Sequence, residues 1–423
     1  MTLTLPQTVR PLRGCVTLPG DKSLAHRVAL FAALADGDST IRNYPDSGVT
    51  RAMRGALETL GVPSRLERGG VLTLTGNGMR PFPRSEVIVH CGNSGTTIRL
   101  LAGALAATRS SAVLDGTAGL RKRPMNRIAD PLRLMGASIS TTDGYAPITV
   151  FPAPLHGIDY TLPVASAQVK SCLEVAALGA DTPVTLHEPG PSRDHTARML
   201  RAMGATVVSD GLTETVHPAT SLNPLDGTLP CDISSAAFLL AAAAIVPGSR
   251  VTVADVGLNP TRTGVLDVLS AMGARISMDN EHMEFGEPIG NVTLEAASLH
   301  GVEIAGDIVV RAIDEFPALA AVTAFAEGET VVRGAEELRY KETDRIAAIV
   351  AQLGALGAEV SELPDGFTVR GGTLKGGTAH ANGDHRLAMS MAICGMRAPV
   401  SVEGAEILNE SFPEFEPLLS SLM

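Results

Sequence analysis

Apolar residues along this chain gather in six Ala-rich runs, at 28–35, 98–107, 169–179, 236–246, 319–326 and 387–395. Each reads as an apolar helix. After a short turn, each is followed by a β-branched stretch, at 40–43, 112–115, 184–187, 251–254, 330–333 and 400–403. A second signal recurs between the copies: Leu60-Gly61-Val62, Met135-Gly136-Ala137, Met203-Gly204-Ala205, Met272-Gly273-Ala274 and Leu356-Gly357-Ala358. Glycine there fits the residue just past a helix end, and in most copies a strand such as Thr206-Val207-Val208 follows. Only the sixth copy lacks the tag, because the chain ends first. The spacing, on the order of 70 residues, marks an internal repeat. The chain therefore reads as six copies of a βαβαββ-like unit.

At 423 residues the chain is too long for one ordinary core. Six units divide naturally into two groups of three. The stretch Asn223-Pro224-Leu225-Asp226-Gly227-Thr228-Leu229-Pro230 is rich in turn formers and falls between units three and four. The other crossing is Pro19-Gly20, which makes the N-terminal strand part of the second group. The prediction is an α/β (α+β) protein of two similar domains, 20–229 and 1–19 plus 230–423. The two crossings, near 19–20 and 229–231, would form a hinge with the ligand site in a cleft.

Composition narrows the class. Apolar residues make up 45% and charged residues 19%, as in a folded rather than a disordered chain. A net charge of -11 argues against a general nucleic-acid or anionic-membrane surface, while leaving room for a local cationic pocket. The five cysteines are scattered singly, which reads as reduced thiols rather than a disulfide framework or zinc site. The N-terminus lacks the pattern of a secretion signal. The longest apolar run, 236–246, is about half the length a bilayer requires. The expectation is a soluble, cytoplasmic protein that is a monomer.

Candidate chemistry stands at the starts of the six apolar helices. Their starts are Lys22-Ser23-x-x-His26-Arg27, Gly92-Asn93-Ser94-Gly95-Thr96-Thr97 ending at Arg99, Ser166-Ala167-Gln168-Val169-Lys170, Asp232-Ile233-Ser234-Ser235, Ile313-Asp314-Glu315-Phe316-Pro317 and Gly383-Asp384-His385-Arg386. In the first of these, Ser23 is the expected N-cap. Helices need such caps in any case, and for Asp232-Ser234-Ser235 capping is the preferred reading. The Lys22, Asn93 and Ser166 segments go further, since a free helix N-terminus with cations or amides around it suits an anion. Leu120-Arg121-Lys122-Arg123-Pro124 by itself reads as a solvated, charged loop. Lys341-Glu342-Thr343-Asp344-Arg345 is expected to open a helix with Lys341 and Arg345 on one face, a like-charged pair that calls for a compensating anion. Asp314 and Glu342 are two carboxylates available for proton transfer. No G-x-x-x-x-G-K-[ST] loop and no H-E-x-x-H helix is present. The chemistry implied is a transferase or lyase acting on small polyanions by acid–base steps, with no metal and no nucleotide cofactor.

Taken together and in order, these segments resemble the 3-phosphoshikimate 1-carboxyvinyltransferase (5-enolpyruvylshikimate-3-phosphate synthase) family over the whole chain. Arg123-Pro124, Arg193-Asp194-His195-Thr196 and Asp384-His385-Arg386 complete the set. The resemblance implies the enolpyruvyl transferase fold with its six-fold internal repeat, no cofactor, and two substrates. Shikimate 3-phosphate would be bound by Lys22, Ser23, Arg27, Ser166, Ala167, Gln168, Arg193, Asp314 and Lys341. Phosphoenolpyruvate would be held by Lys22, Asn93, Gly95, Arg123, Gln168, Arg345 and Arg386. The implied reaction is addition–elimination through a tetrahedral adduct, with Asp314, Glu342 and Lys22 as the proton-moving groups.

Ser-Ala-Gln-Val-Lys and Arg-Asp-His-Thr are similar to a second subgroup of that family, some of whose members tolerate glyphosate. Gly95 is retained, so tolerance does not follow from the motifs. Ala167 replaces a second Ser, Arg193 sits where a non-basic residue is usual, and Glu410 stands where the better-known subgroup has Lys. Two alternative readings fit less well. A transferase acting on UDP-N-acetylglucosamine usually carries a reactive Cys in the loop corresponding to 119–123, and none is present there. A non-catalytic repeat protein binding anions or RNA is disfavoured by low aromatic content and net acidity.

Overall fold

The computed structural model describes residues 1–8 and 10–423. The apolar runs form helices α1 (Lys22–Leu34), α3 (Gly95–Ala107), α5 (Ala167–Ala177), α7 (Ile233–Ile245), α10 (Phe316–Thr323) and α12 (His385–Cys394). Between them lie α2 (Gly48–Thr59), α4 (Asn126–Leu134), α6 (His195–Ala202), α8 (Gly264–Ala271), α9 (Asp307–Arg311) and α11 (Arg345–Ala355), and α13 (Phe415–Ser421) closes the chain. A helix apolar on all sides has no face to give to water and must be buried whole. In α7 every residue but Ser235 is buried, and in α3 only Thr96 and Arg99 are not. Small side chains let such helices approach closely. A Cβ on Gly103 of α3 would stand 2.3 Å from the Cys172 carbonyl oxygen of α5, so only glycine fits that crossing.

The five glycine tags end α2, α4, α6, α8 and α11, with φ between 91° and 107°. In each, the N–H after the glycine bonds the carbonyl five residues back, as Val62 does to Leu57 at 2.9 Å and Ala358 to Leu353 at 3.0 Å. This is the Schellman closure, which turns the chain sharply into the next strand.

Each repeat folds onto a small sheet. Val87–His90 runs parallel to Ala112–Asp115, which pairs antiparallel with Tyr145–Phe151, and Ser138–Thr142 closes the edge. Two repeats take their first strand from a distant part of the chain. Asp226–Thr228 lies parallel to Asp38–Arg42, and Arg13–Thr17 lies parallel to Arg250–Gly257. In the sixth repeat, Thr2–Leu3 pairs antiparallel with Val400–Glu403, where the other repeats use their own hairpin. In this copy, which lacks the tag, Thr2–Leu3 takes the place that the hairpin holds in the others.

The chain separates into two compact units. One comprises 19–230 with 283–287; the other comprises 1–18, 231–282 and 288–423. Each has its own apolar core. The sequence reading kept 230–423 together, and here the structure differs. The hairpin of Arg275–Glu284 and Glu287–Glu295 gives its tip to the first unit, because Phe285 joins that unit's core and Glu287 meets the buried His195 at 2.8 Å.

Candidate active site

In the 19–230 unit, α1 is capped by Asp21, not by Ser23. The Asp21 carboxylate accepts the Leu24 N–H at 2.9 Å, which places Lys22 and Ser23 half-buried in the first turn. One turn on, His26 is buried and fully committed. Its Nδ1 donates to the Lys22 carbonyl at 2.6 Å, because a carbonyl can only accept. Its Nε2 must then accept from Ser94 Oγ, 3.1 Å away. Ser94 in turn caps α3, accepting from the Thr97 N–H at 3.1 Å. Burial pushes the His26 pKa down to about 4, so the ring is neutral. The first turns of α1 and α3 are thereby joined through one uncharged imidazole.

Arg27 is also buried. Its guanidinium donates to Thr196 Oγ1 (2.8 Å), Ser171 Oγ (2.8 Å) and the Ser23 carbonyl (2.9 Å). Burial lowers its pKa to about 10, with the charge of Glu174 working the other way. At the start of α3, a Cβ on Gly95 would meet Arg99 and Arg123 guanidinium nitrogens at 3.0 and 3.1 Å. Asn93 Oδ1 accepts from Thr117 at 3.1 Å. Gln168, in the first turn of α5, is held at both ends of its amide: Arg99 donates to Oε1, and Nε2 donates to Thr96 Oγ1 at 3.1 Å. Ser166 occupies the N-cap position of α5, with Ala167 following, and Arg193 is half-buried just before α6.

In the other unit, the expected Lys341–Arg345 helix face does not form. Asp344 caps α11, accepting from the Ala347 N–H at 3.1 Å, so Arg345 is the first helical residue and Lys341 lies outside. The anion this pair called for is supplied by the chain itself. Lys341 Nζ and Arg345 each stand 3.4 Å from the same oxygen of Asp314. Arg345, 1% exposed, also donates to Glu342 (2.7 Å) and to Asp384 (2.7 Å). Burial alone would weaken its hold on the proton, but Glu342, Asp384 and Asp314 together raise its pKa above the ordinary value. Arg386 donates to the Asp314 main-chain carbonyl at 2.9 Å. Glu315 is wholly buried and accepts from Ser234 Oγ. At α7, Asp232 caps the helix by accepting the Ser234 N–H at 2.9 Å, which agrees with the capping reading of that segment.

The sequence-predicted residues thus fall into two sets. Lys22, Ser23, Arg27, Asn93, Gly95, Arg123, Ser166, Ala167, Gln168 and Arg193 lie in the 19–230 unit, and Asp314, Lys341, Glu342, Arg345 and Arg386 lie in the other. Several supporting residues were passed over: His26, Arg99 and Asp384. All three stood inside the helix-start motifs, and Arg99 follows Gly95 by one helical turn, but the sequence did not show their partners. Cys91, close in sequence to the loop where the rival transferase carries its Cys, is buried, and burial pushes its thiol up to about 12. That suits an inert thiol.

A family model described as EPSP synthase (3-phosphoshikimate 1-carboxyvinyltransferase) matches residues 6–419. A 3-phosphoshikimate 1-carboxyvinyltransferase of Syntrophomonas wolfei is 43% identical over 420 residues, covering 98% of both chains. One of Roseiflexus castenholzii is 47% identical over 416 residues, covering 96% of each. Among solved structures, an EPSP synthase of Acinetobacter baumannii superposes with TM-score 0.90 at 40% identity, covering 100% of this chain and 98% of that one. The enolpyruvyl transferase NikO of Streptomyces tendae shares the fold, with TM-score 0.78 at 20% identity over 100% of this chain and 96% of that one.

Proposed function

This chain belongs to the EPSP synthase (3-phosphoshikimate 1-carboxyvinyltransferase) family, and from that premise we propose that it transfers the enolpyruvyl group of phosphoenolpyruvate to the 5-hydroxyl of shikimate 3-phosphate. The hydroxyl oxygen adds to C2 of phosphoenolpyruvate while C3 takes up a proton. The tetrahedral adduct then expels inorganic phosphate as a proton leaves C3. Asp314 accepts the hydroxyl proton, Glu342 serves the methylene carbon in both directions, and Lys22 assists. Shikimate 3-phosphate is bound by the α1 and α5 first turns with Arg27 and Arg193, and by Asp314 and Lys341. Phosphoenolpyruvate is bound by Lys22, Asn93, Gly95, Arg123, Gln168, Arg345 and Arg386. Arginine's planar fork suits the carboxylate and phosphate of this substrate.

The observation that carries the reading is Arg345, whose two terminal nitrogens reach Asp314 Oδ1 (3.4 Å) and Glu342 Oε2 (2.7 Å). One buried cation thus fastens both carboxylates that the addition–elimination scheme needs. The reading also assigns the activity to a cytoplasmic monomer. No helix among the described residues is long and apolar enough to cross a membrane.

The test is phosphate release from phosphoenolpyruvate, with and without shikimate 3-phosphate, for the parent protein, Asp314→Ala and Glu342→Ala. Release should require shikimate 3-phosphate and fall by roughly 10²–10⁴-fold in each variant. Release driven only by UDP-N-acetylglucosamine would transfer the chain to the rival activity, and none with either acceptor would sink the mechanism.

A further inference from the structure

Lys170 ends the Ser-Ala-Gln-Val-Lys motif, yet nothing above gives it a role. Its side chain is buried in the 19–230 unit, 2.6 Å from Glu188 and 3.6 Å from Glu214. Glu188 opens the loop that carries Arg193, and its other oxygen accepts from Ser192, the residue immediately before Arg193. On the far side of Arg193, Thr196 Oγ1 donates to Ser171 Oγ at 2.7 Å. Two successive residues of α5 therefore bracket Arg193: Lys170 through Glu188 and Ser192, Ser171 through Thr196. Arg27 reinforces the second tie by donating to both Ser171 and Thr196.

We propose that Lys170 is a positioning residue: through Glu188 and Ser192 it holds the Arg193 loop against the first turn of α5, and so sets the affinity for the phosphate group of shikimate 3-phosphate. A buried ion pair is a poor source of net stability, because desolvation offsets most of the attraction, but it does impose geometry. Three carboxyl groups, those of Glu174, Glu188 and Glu214, act on this one ammonium, and together they outweigh burial and raise its pKa. Of these three, Glu188 is the one that accepts a hydrogen bond from Lys170, at 2.6 Å. Gln168 has separate support, since Thr96 and Arg99 of α3 hold its amide. Loss of Lys170 should therefore disturb the shikimate 3-phosphate contacts and spare phosphoenolpyruvate.

This inference rests on the proposed activity. The experiment compares the parent, Lys170→Met and the double variant Lys170→Met with Glu188→Gln, measuring KM for each substrate and binding of shikimate 3-phosphate by calorimetry. The double variant leaves no unpaired Glu188 charge, so it keeps the test open should the single variant fail to fold. The expected result is a rise of roughly tenfold or more in KM and Kd for shikimate 3-phosphate, with KM for phosphoenolpyruvate changed by less than about twofold. A folded variant that binds shikimate 3-phosphate as tightly as the parent overturns the positioning role and leaves the activity standing. Equal rises in both KM values overturn it too, as a general loosening would produce them. A parent that binds no shikimate 3-phosphate removes the activity, and this proposal falls with it.

Discussion

Arg27 and Arg345 are both buried, one in each unit, yet their surroundings are opposite in kind. All three guanidinium nitrogens of Arg345 face carboxylates, those of Asp314, Glu342 and Asp384. Those of Arg27 meet two hydroxyls and a main-chain carbonyl. The electrostatics follow. Burial wins at Arg27, whose pKa drops to about 10, while at Arg345 the carboxylates win and the pKa rises. Neutral dipoles orient a cation without cancelling its charge, so Arg27 keeps its field for an anionic ligand. Carboxylates cancel it, so Arg345 acts first as a clamp on two acids. On the proposed reading, the same residue type makes a receptor in one unit and a fastening in the other.

Truncation should separate the two most strongly. Arg345→Met leaves Asp384, 0% exposed, as an uncompensated buried charge and should cost about 3–5 kcal/mol, read as a lower urea midpoint. Arg27→Met removes bonds to neutral groups and should cost about 1–3 kcal/mol, with its main effect on shikimate 3-phosphate binding. Equal losses of stability would break the contrast.

The neutral tie between α1 and α3 sharpens it. The His26 pKa is about 4 in the fold, below its usual 6.5, so the unfolded chain takes up the proton first as pH falls. Its stabilising contribution is present above pH 6.5 and is lost between 6.5 and about 4, on the order of 3 kcal/mol at the limit. A urea midpoint followed from pH 8 to 4.5 should drop less steeply in His26→Gln than in the parent. Identical slopes would place the acid sensitivity elsewhere.

The smallest effect concerns Glu174. Its carboxyl is raised by burial and by Glu214, so here the folded state holds the proton more tightly. Stability from this group is full below about pH 4.5 and declines as pH rises. Glu174→Gln should match the parent near pH 5 and melt higher at pH 8. A variant that melts lower at both pH values would mean that the carboxyl is ionised and paired.

Much of this was legible from one dimension. The Ala-rich runs could only be buried helices, and five Gly tags announced the Schellman turns of the helices between them, because both depend on residues within one turn of each other. Caps were less secure: at α1 the role passed from Ser23 to Asp21, since either residue type can cap and the backbone angle decides. Lys170, His26 and Asp384 were visible in motifs but had no readable role. Their partners lie 18, 68 and 39 residues away.

By itself the sequence determined the repeat, its elements and the family, since periodicity and ordered motifs are local or simply cumulative. Only the tertiary structure decided which strand completes each sheet, that the tip at 283–287 goes with the other unit, and that Asp314 is the counter-ion of both Lys341 and Arg345. Those outcomes rest on distances between groups far apart in the chain. A charge or an unpaired strand edge specifies what kind of partner it needs, and packing selects which one it gets.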